Sequence, residues 1–200
     1  CSLLLIDRND CVLSAVDVDI HTLRLDLTEP DAPHKIMQHL DAALLTPDLL
    51  INNAGIFDFK AVNDLSRERI NTYIDLHMRV VTHLSRLMAA RMVQTGGGCI
   101  LNMSSMSCWM PMPGIALYAA TKAYIRVFSR ALNVELRGSG VTVTVACPGG
   151  IATDCSDCHA ICNASVSASV RLPPQRNSCV MPCIAVCAAN RSISTDCSTA

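Results

Sequence analysis

Short apolar runs alternate with longer amphipathic stretches along most of this chain. We predict strands over residues 3–6, 21–27, 49–51, 99–103 and 141–146, and the continuous apolar run 3–6 is typical of a strand buried on both faces. The amphipathic stretches between them predict helices over residues 32–45, 67–94 and 115–137. Because parallel strands need helix-length crossovers, the pattern predicts an α/β fold with a doubly wound parallel sheet.

The longest predicted helix has a start signal and a stop signal. Ser66 is a good N-cap residue for a helix that begins at Arg67. Three glycines at 96–98 follow its last residue and end the helical pattern. Apolar residues fall roughly on one stripe, at Ile70, Ile74, Met78, Val81 and Leu84.

The size and charge of the chain exclude several classes of protein. A chain of 200 residues with a net charge of −1 is large enough for one domain with a real core. That charge indicates neither a nucleic-acid partner nor an anionic membrane surface. No apolar run reaches the roughly 18 residues that a membrane-spanning helix needs. We therefore expect a soluble, cytoplasmic protein that binds no nucleic acid and has no membrane span.

Three polar residues in the second half of the chain point to chemistry at a carbonyl group. Tyr118 and Lys122 are four residues apart, so they share one face of the predicted helix 115–137. Ser105 follows the apolar run 99–103. A free phenol has a pKa of about 10, and a neighbouring ammonium favours its ionised form. Tyr118 is therefore a candidate acid, and Ser105 is a candidate donor to the substrate oxygen.

These residues lie in the order and spacing of a known family. The chain resembles the short-chain dehydrogenase/reductase family over residues 2–154, through Asn52-Asn53-Ala54-Gly55, Ser105, Tyr118-x-x-x-Lys122 and Pro148-Gly149-x-x-x-Thr153. The resemblance implies a Rossmann-like catalytic and dinucleotide-binding domain over residues 1–154. It also implies an NAD(P)-dependent oxidoreductase that interconverts a carbonyl and an alcohol. In that family, Tyr118 and Lys122 would also contact the cofactor, with Lys122 on the nicotinamide ribose.

The resemblance also assigns cofactor contacts along the predicted strand ends. Asp7 would accept hydrogen bonds from ribose hydroxyls and favour NAD, whereas the neighbouring Arg8 favours the phosphate of NADP, so the preference for NAD is weak. Asp26 and Leu27 resemble the pair that contacts adenine. The turn beside the adenosine ribose and the segment beside the nicotinamide would be formed by Asn53, Ala54, Gly55, Pro148, Gly149, Ile151 and Thr153.

One residue departs from the family pattern. His77 stands on the long predicted helix where the family usually has an Asn that supports a water linked to the catalytic Lys. A His can also hold a water or relay a proton, which makes His77 a candidate catalytic residue. The alternative is a helix histidine that is only packed or solvated.

The two ends of the chain also depart from the family pattern. The family opens with a strand and a Gly-rich turn that binds the cofactor pyrophosphate, whereas this chain starts where the family's second strand would start. We therefore expect a domain that is incomplete at its N-terminus. The alternative function is an inactive family fragment that lacks the phosphate turn and the native C-terminus.

The last 46 residues have a different composition from the rest. Seven of the 12 cysteines lie after Asp154, where no helix or strand period holds for long, so residues 155–200 are expected to form an irregular or disordered tail. Cys155-Ser156-Asp157-Cys158-His159 formally matches a haem attachment pattern, and with Cys162 it could extend to a zinc cluster. A shifted reading frame is the interpretation we favour. Moving back one nucleotide turns every Cys codon into one for Leu, Met or Val.

The substrate and oligomeric state are suggested only by position. The apolar segment 105–113 lies where a substrate would enter, so we expect a hydrophobic carbonyl or alcohol, such as a ketoacyl or hydroxysteroid compound. The resemblance further implies a homodimer or homotetramer that assembles through the two long helices.

Overall fold

The computed structural model describes residues 2–9 and 19–149, together with the backbone of residues 179–181 and 184–188. Its strands are β1 (Ser2–Asp7), β2 (Asp19–Arg24), β3 (Leu49–Asn52), β4 (Gly55–Phe57), β5 (Gly98–Met103), β6 (Val141–Ala146), β7 (Cys179–Met181) and β8 (Ile184–Ala188). Its helices are α1 (Ala32–Ala42), α2 (Arg67–Ile74), α3 (Val80–Gln94) and α4 (Ala116–Glu135). A π-helical turn, Asp75–Arg79, joins α2 to α3. Short 3-10 turns cover Val62–Asp64 and Met106–Trp109.

Six strands form the main sheet in the order β2-β1-β8-β3-β5-β6. The pairs β1–β2, β3–β5 and β5–β6 are parallel, as the crossover pattern predicts. The predicted Rossmann-like α/β architecture is therefore confirmed. β8 is the exception, because it lies antiparallel between β1 and β3.

Two strands lie in the C-terminal segment 155–200, for which no lasting period was expected. β8 belongs to the main sheet, and β7 pairs antiparallel with β4 in a small second sheet. The other residues of that segment, including the haem-like motif, lie outside the described residues.

The helix boundaries have local causes. Ser66 Oγ accepts a hydrogen bond from Arg69 N–H at 3.2 Å, which confirms the predicted N-cap. α1 ends three residues before the predicted residue 45 because Leu44 adopts a left-handed conformation with φ 54°. Leu45 N–H then donates to Leu40 O at 2.9 Å, which closes the helix end.

Strand and helix side chains meet in one continuous core. The sheet contributes side chains such as Leu4, Ile6, Leu50 and Ile100, and the helices cover them with Ile36, Leu40, Leu84, Met88 and Met92. This core holds the carboxyl ends of the parallel strands at one edge, where open α/β sheets bind their ligands. Within the described part of the chain, no helix is both long and apolar enough to span a membrane.

Candidate active site

Ser105 lies at the sheet edge just after β5. Ser104 N–H donates to Ala146 O at 2.7 Å, and Met106 N–H donates to Pro148 O at 2.8 Å. These two bonds hold the segment after β5 beside the segment after β6. Ser105 Oγ accepts a hydrogen bond from Ser107 N–H at 3.2 Å and so caps the 3-10 turn. Because that bond uses an oxygen lone pair, the hydroxyl hydrogen remains available to an incoming oxygen.

Tyr118 and Lys122 project from the first turns of α4. Lys122 Nζ lies 5.7 Å from the centre of the Tyr118 ring. Phe57 of β4 packs edge-on against the same ring, with 4.9 Å between ring centres. The structure therefore brings the candidate acid and the candidate ammonium together, with an apolar wall on one side.

The Lys122 ammonium is buried and anchored. Its Nζ donates to Met103 O, at the end of β5, at 2.9 Å, and its side chain is almost inaccessible to solvent. Ser104 Oγ donates to Lys122 O at 2.7 Å and ties the same helix turn to the strand end. Burial lowers the pKa of Lys122 to about 8, because an ammonium loses solvation in the protein interior. An electrostatic interaction with the nearby Cys147 acts in the opposite direction and raises the pKa of Lys122.

His77 lies in the π-helical turn and is fully buried. Its Nε2 accepts a hydrogen bond from Ile56 N–H at 3.0 Å, and its Nδ1 lies 2.9 Å from Thr121 Oγ1. Thr121 Oγ1 in turn donates to Tyr118 O at 2.9 Å. Because the Thr121 proton is used in that bond, Nδ1 must carry the imidazole proton and donate it to Thr121. Burial, with the Lys122 charge second, lowers the pKa of His77 well below its ordinary value, so the ring is neutral.

Gly55 lets β4 approach this cluster closely. A Cβ at this position would lie 3.1 Å from His77 Nε2 and 3.6 Å from Lys122 Nζ. The predicted ribose turn, Asn53 and Ala54, joins β3 to β4 directly before it. The end of this turn therefore lies close to the buried ammonium.

The predicted adenosine contacts lie further along the same sheet edge. Asp7 ends β1, is buried, and accepts a hydrogen bond from Asn9 N–H at 2.7 Å. Asp26 Oδ1 accepts hydrogen bonds from Thr28 N–H at 2.8 Å and from Thr28 Oγ1 at 2.7 Å. The Leu27 side chain is part of the hydrophobic core and is therefore not available to a ligand. A groove of about 980 Å³ is lined by Asp26 and by Arg8.

The predicted nicotinamide segment is described in part. Pro148 and Gly149 follow β6, and Pro148 is held by its bond to Met106. Ile151 and Thr153 lie outside the described residues.

The residues that connect the site lie outside the sequence motifs or are not singled out by them. Thr121 and the Ile56 backbone hold His77, and Met103 O holds Lys122. Thr121 lies between Tyr118 and Lys122 in the sequence, and this position alone only weakly indicates that it contacts His77. The other two contacts are backbone groups, for which side-chain identity carries no signal.

Comparisons with known proteins identify the family of this chain. The family model described as short chain dehydrogenase matches residues 7–159. A cyclopentanol dehydrogenase from Comamonas sp. is 33% identical over 154 residues, which cover 77% of this chain and 61% of the relative.

Two solved structures are similar in fold and sequence. A 4-hydroxyisoleucine dehydrogenase complexed with NADH is 30% identical with a TM-score of 0.69, covering 74% of this chain and 64% of that chain. A short-chain dehydrogenase from Sphingobium yanoikuyae in complex with NADPH is 33% identical with a TM-score of 0.60, covering 67% and 52% respectively. The chain thus spans less than two thirds of each of these three proteins. The matches in sequence, fold and motif order together show that this chain belongs to the short-chain dehydrogenase family.

Proposed function

We propose that the chain is an NAD(P)-dependent oxidoreductase that interconverts a carbonyl and an alcohol, with Ser105, Tyr118 and Lys122 as catalytic residues. The observation that carries the proposal is the buried ammonium of Lys122, 5.7 Å from the Tyr118 ring. In the described part of the chain, no carboxylate forms an ion pair with it. Its field is therefore not cancelled locally and acts on the phenol.

The residues divide the proton chemistry between them. A bound nicotinamide cofactor supplies or accepts the hydride. Ser105 donates its hydroxyl hydrogen to the substrate oxygen and holds it towards Tyr118. Tyr118 donates its phenolic proton to that oxygen during reduction, and Lys122 stabilises the phenolate that results. An ammonium can donate more than one hydrogen bond, so Lys122 can bind ribose hydroxyls while Met103 O anchors it.

His77 acts in this proposal as a positioning residue. Its Nε2 lone pair is occupied by Ile56 N–H and its Nδ1 proton faces Thr121, so neither nitrogen has a spare site for proton relay. The ring instead joins β4 to α4. It thereby fixes the Gly55 turn and the helix turn that carries Tyr118.

The residues present fit a nicotinamide dinucleotide. Adenosine would lie near Asp26, the backbone of Leu27 and the turn Asn53-Ala54-Gly55. The nicotinamide would lie near Pro148, Gly149, Ile151 and Thr153. We propose a weak preference for NAD, because the carboxylate of Asp7 ends β1 and would repel a 2′-phosphate, while Arg8 opposes this effect. Comparing the Kd values for NADH and NADPH tests the preference, and tighter NADPH binding would contradict it.

A hydrophobic substrate is supported by the surface beside Ser105. Met106, Trp109 and Met110 are 46%, 55% and 41% exposed. Large apolar side chains that remain exposed beside a polar centre are typical of a ligand entrance. We propose a hydrophobic ketone or secondary alcohol as the small-molecule substrate.

The two long helices expose apolar side chains. Val93 of α3 and Val127 and Val134 of α4 are exposed, at 44%, 60% and 52%. We propose that these long helices form the contact of a homodimer or homotetramer in the cytoplasm.

A matched pair of tyrosine variants tests the activity. Tyr118→Phe removes the proposed acid, whereas Tyr124→Phe removes a hydroxyl on the same helix that bonds to Thr82 at 2.7 Å. We expect Tyr118→Phe to lower kcat by about 100-fold or more, the usual contribution of a positioned acid, with NADH binding retained. Tyr124→Phe should leave kcat within about twofold. Equal activity of the two variants would contradict the assignment.

The second candidate function is a family member without catalytic activity. The antiparallel position of β8 between β1 and β3 favours it. Titration of the chain with NADH, followed by fluorescence, separates the two candidates. Saturable binding supports the oxidoreductase, and the absence of binding supports the inactive member.

A further inference from the structure

Two cysteines meet beside the candidate active site. Cys108 lies in the 3-10 turn that follows Ser105, and Cys147 is the first residue after β6. Their Sγ atoms are 4.0 Å apart, and both are reduced. The backbone bonds Ser104 N–H to Ala146 O and Met106 N–H to Pro148 O run between the same two segments. These backbone bonds therefore keep the two thiols close to each other.

We propose that Cys108 and Cys147 form a reversible disulfide when the protein meets a hydroperoxide, which makes the pair a redox-sensitive modification site. A disulfide has an S–S length of about 2.05 Å, so the sulfurs must approach by about 2 Å. Cys147 lies in a loop and Cys108 in a short turn. Rotation of the two side chains with a small loop shift supplies that movement.

The two thiols have different parts in the reaction. Cys147 is more exposed than Cys108, and its thiolate attacks the peroxide. The O–O bond breaks, one oxygen stays on sulfur as a sulfenic acid, and the other leaves as an alcohol or as water after taking up a proton. Cys108 sulfur then attacks the Cys147 sulfur, the S–O bond breaks, and water leaves with the Cys108 proton. Two thiols are oxidised and one peroxide is reduced.

The charges around the pair support this order. Burial raises the pKa of Cys108, with the Cys147 charge as the second cause, so Cys108 stays protonated while Cys147 reacts first. Lys122 and Arg126 are the cations that interact with the pair. Among the causes that shift the pKa of Cys108, the only cation is Arg126 and no carboxylate appears.

The disulfide would alter the site itself. It would draw the turn after Ser105 towards Pro148, which carries the proposed nicotinamide contact. Since a misplacement of about 1 Å can cost about 100-fold in rate, we expect oxidation to lower turnover by about tenfold or more. This consequence rests on the proposed function, whereas formation of the disulfide does not.

Peptide mapping tests the modification directly. The full chain is treated with hydrogen peroxide, the remaining thiols are alkylated, and the protein is digested with trypsin. Cys108 then lies with Cys99 in peptide 92–122, and Cys147 lies with Cys155, Cys158 and Cys162 in peptide 138–171. Fragment ions must therefore identify the bonded residues. We expect a Cys108–Cys147 link that dithiothreitol reverses.

Two cysteine variants test which thiols form the link. Cys147→Ser should abolish the link, whereas Cys99→Ser, at a partly buried thiol in β5, should keep it. A link from Cys108 or Cys147 to another cysteine, or irreversible oxidation of Cys147 with Cys108 still alkylated, overturns the proposal. A link that forms without loss of turnover overturns the predicted effect on activity. If the reduced chain shows no turnover of any carbonyl substrate, the proposed function is contradicted, but the disulfide identified by peptide mapping still stands.

Discussion

Removal of the buried charge at position 122 should change how stability depends on pH. Burial lowers the pKa of Lys122 from 10.5 to about 8. One pKa unit corresponds to about 1.4 kcal/mol, so the charged ammonium costs the folded chain about 3 kcal/mol relative to the unfolded chain. Lys122→Met replaces the lysine with an uncharged side chain of similar length, so it removes this cost. It also leaves Met103 O without its donor, which costs about 1–3 kcal/mol at every pH.

The pH dependence separates these two effects. The folded pKa lies below the unfolded pKa, so between pH 8 and pH 10.5 the unfolded chain binds more protons. The free energy of unfolding of the natural chain should therefore rise through that window by about 3 kcal/mol relative to Lys122→Met. Loss of the bond to Met103 O lowers the free energy of unfolding of Lys122→Met by the same amount at every pH.

Urea unfolding followed by far-UV circular dichroism at several pH values from 7 to 10 measures the difference. Lys60→Met is the matched control, because the Lys60 side chain is exposed. Its free energy of unfolding should follow that of the natural chain across the window. Parallel curves for Lys122→Met and the natural chain would refute a buried, charged ammonium at this site.

Three further predictions follow from single contacts. His77 is neutral when folded, so below its ordinary pKa the natural chain should lose about 1.4 kcal/mol of stability per pH unit relative to His77→Asn. His77→Asn should also leave the pH profile of kcat/KM unchanged, and a displaced profile would support proton relay. Gly97→Ala should destabilise the fold by at least about 2 kcal/mol more than Gly96→Ala in urea unfolding, because both glycines have positive φ but only a Cβ at 97 would meet Gly140 O, at 2.6 Å. Ser129→Ala removes the acceptor of buried Asn102 Nδ2, at 2.9 Å, and should cost about 1–3 kcal/mol in the same assay.

The elements that carry the site were predictable because their signals are long and repetitive. The stretch 115–137 contains enough turns for its helical period to show, and the structure forms α4 over Ala116–Glu135. The Tyr118–Lys122 spacing then fixes their common face, since residues four apart are neighbours on a helix. The strand β6 was predicted with the bounds that the structure shows, because it is rich in β-branched residues, which favour strands.

The contacts of His77 were not predictable in the same way. Its acceptor bond comes from Ile56 in β4, a strand of three residues that is too short to show a period. The backbone N–H that it binds is common to every residue except proline. Leu27 shows a related limit, because its position in a motif does not reveal that its side chain packs into the core. β8 lies in the segment with no lasting period, and pairing with β1 and β3 defines it.

Transfer of deuterium from cofactor to product tests the central claim most directly. The chain is incubated with NADH deuterated at C4 and a hydrophobic ketone, and the product alcohol is examined by mass spectrometry and NMR. We expect one deuterium on the carbinol carbon with the natural chain, and a rate of transfer lower by about 100-fold or more with Tyr118→Phe. An alcohol formed without deuterium from either face of the cofactor, or an equal rate of transfer by Tyr118→Phe, would contradict the account.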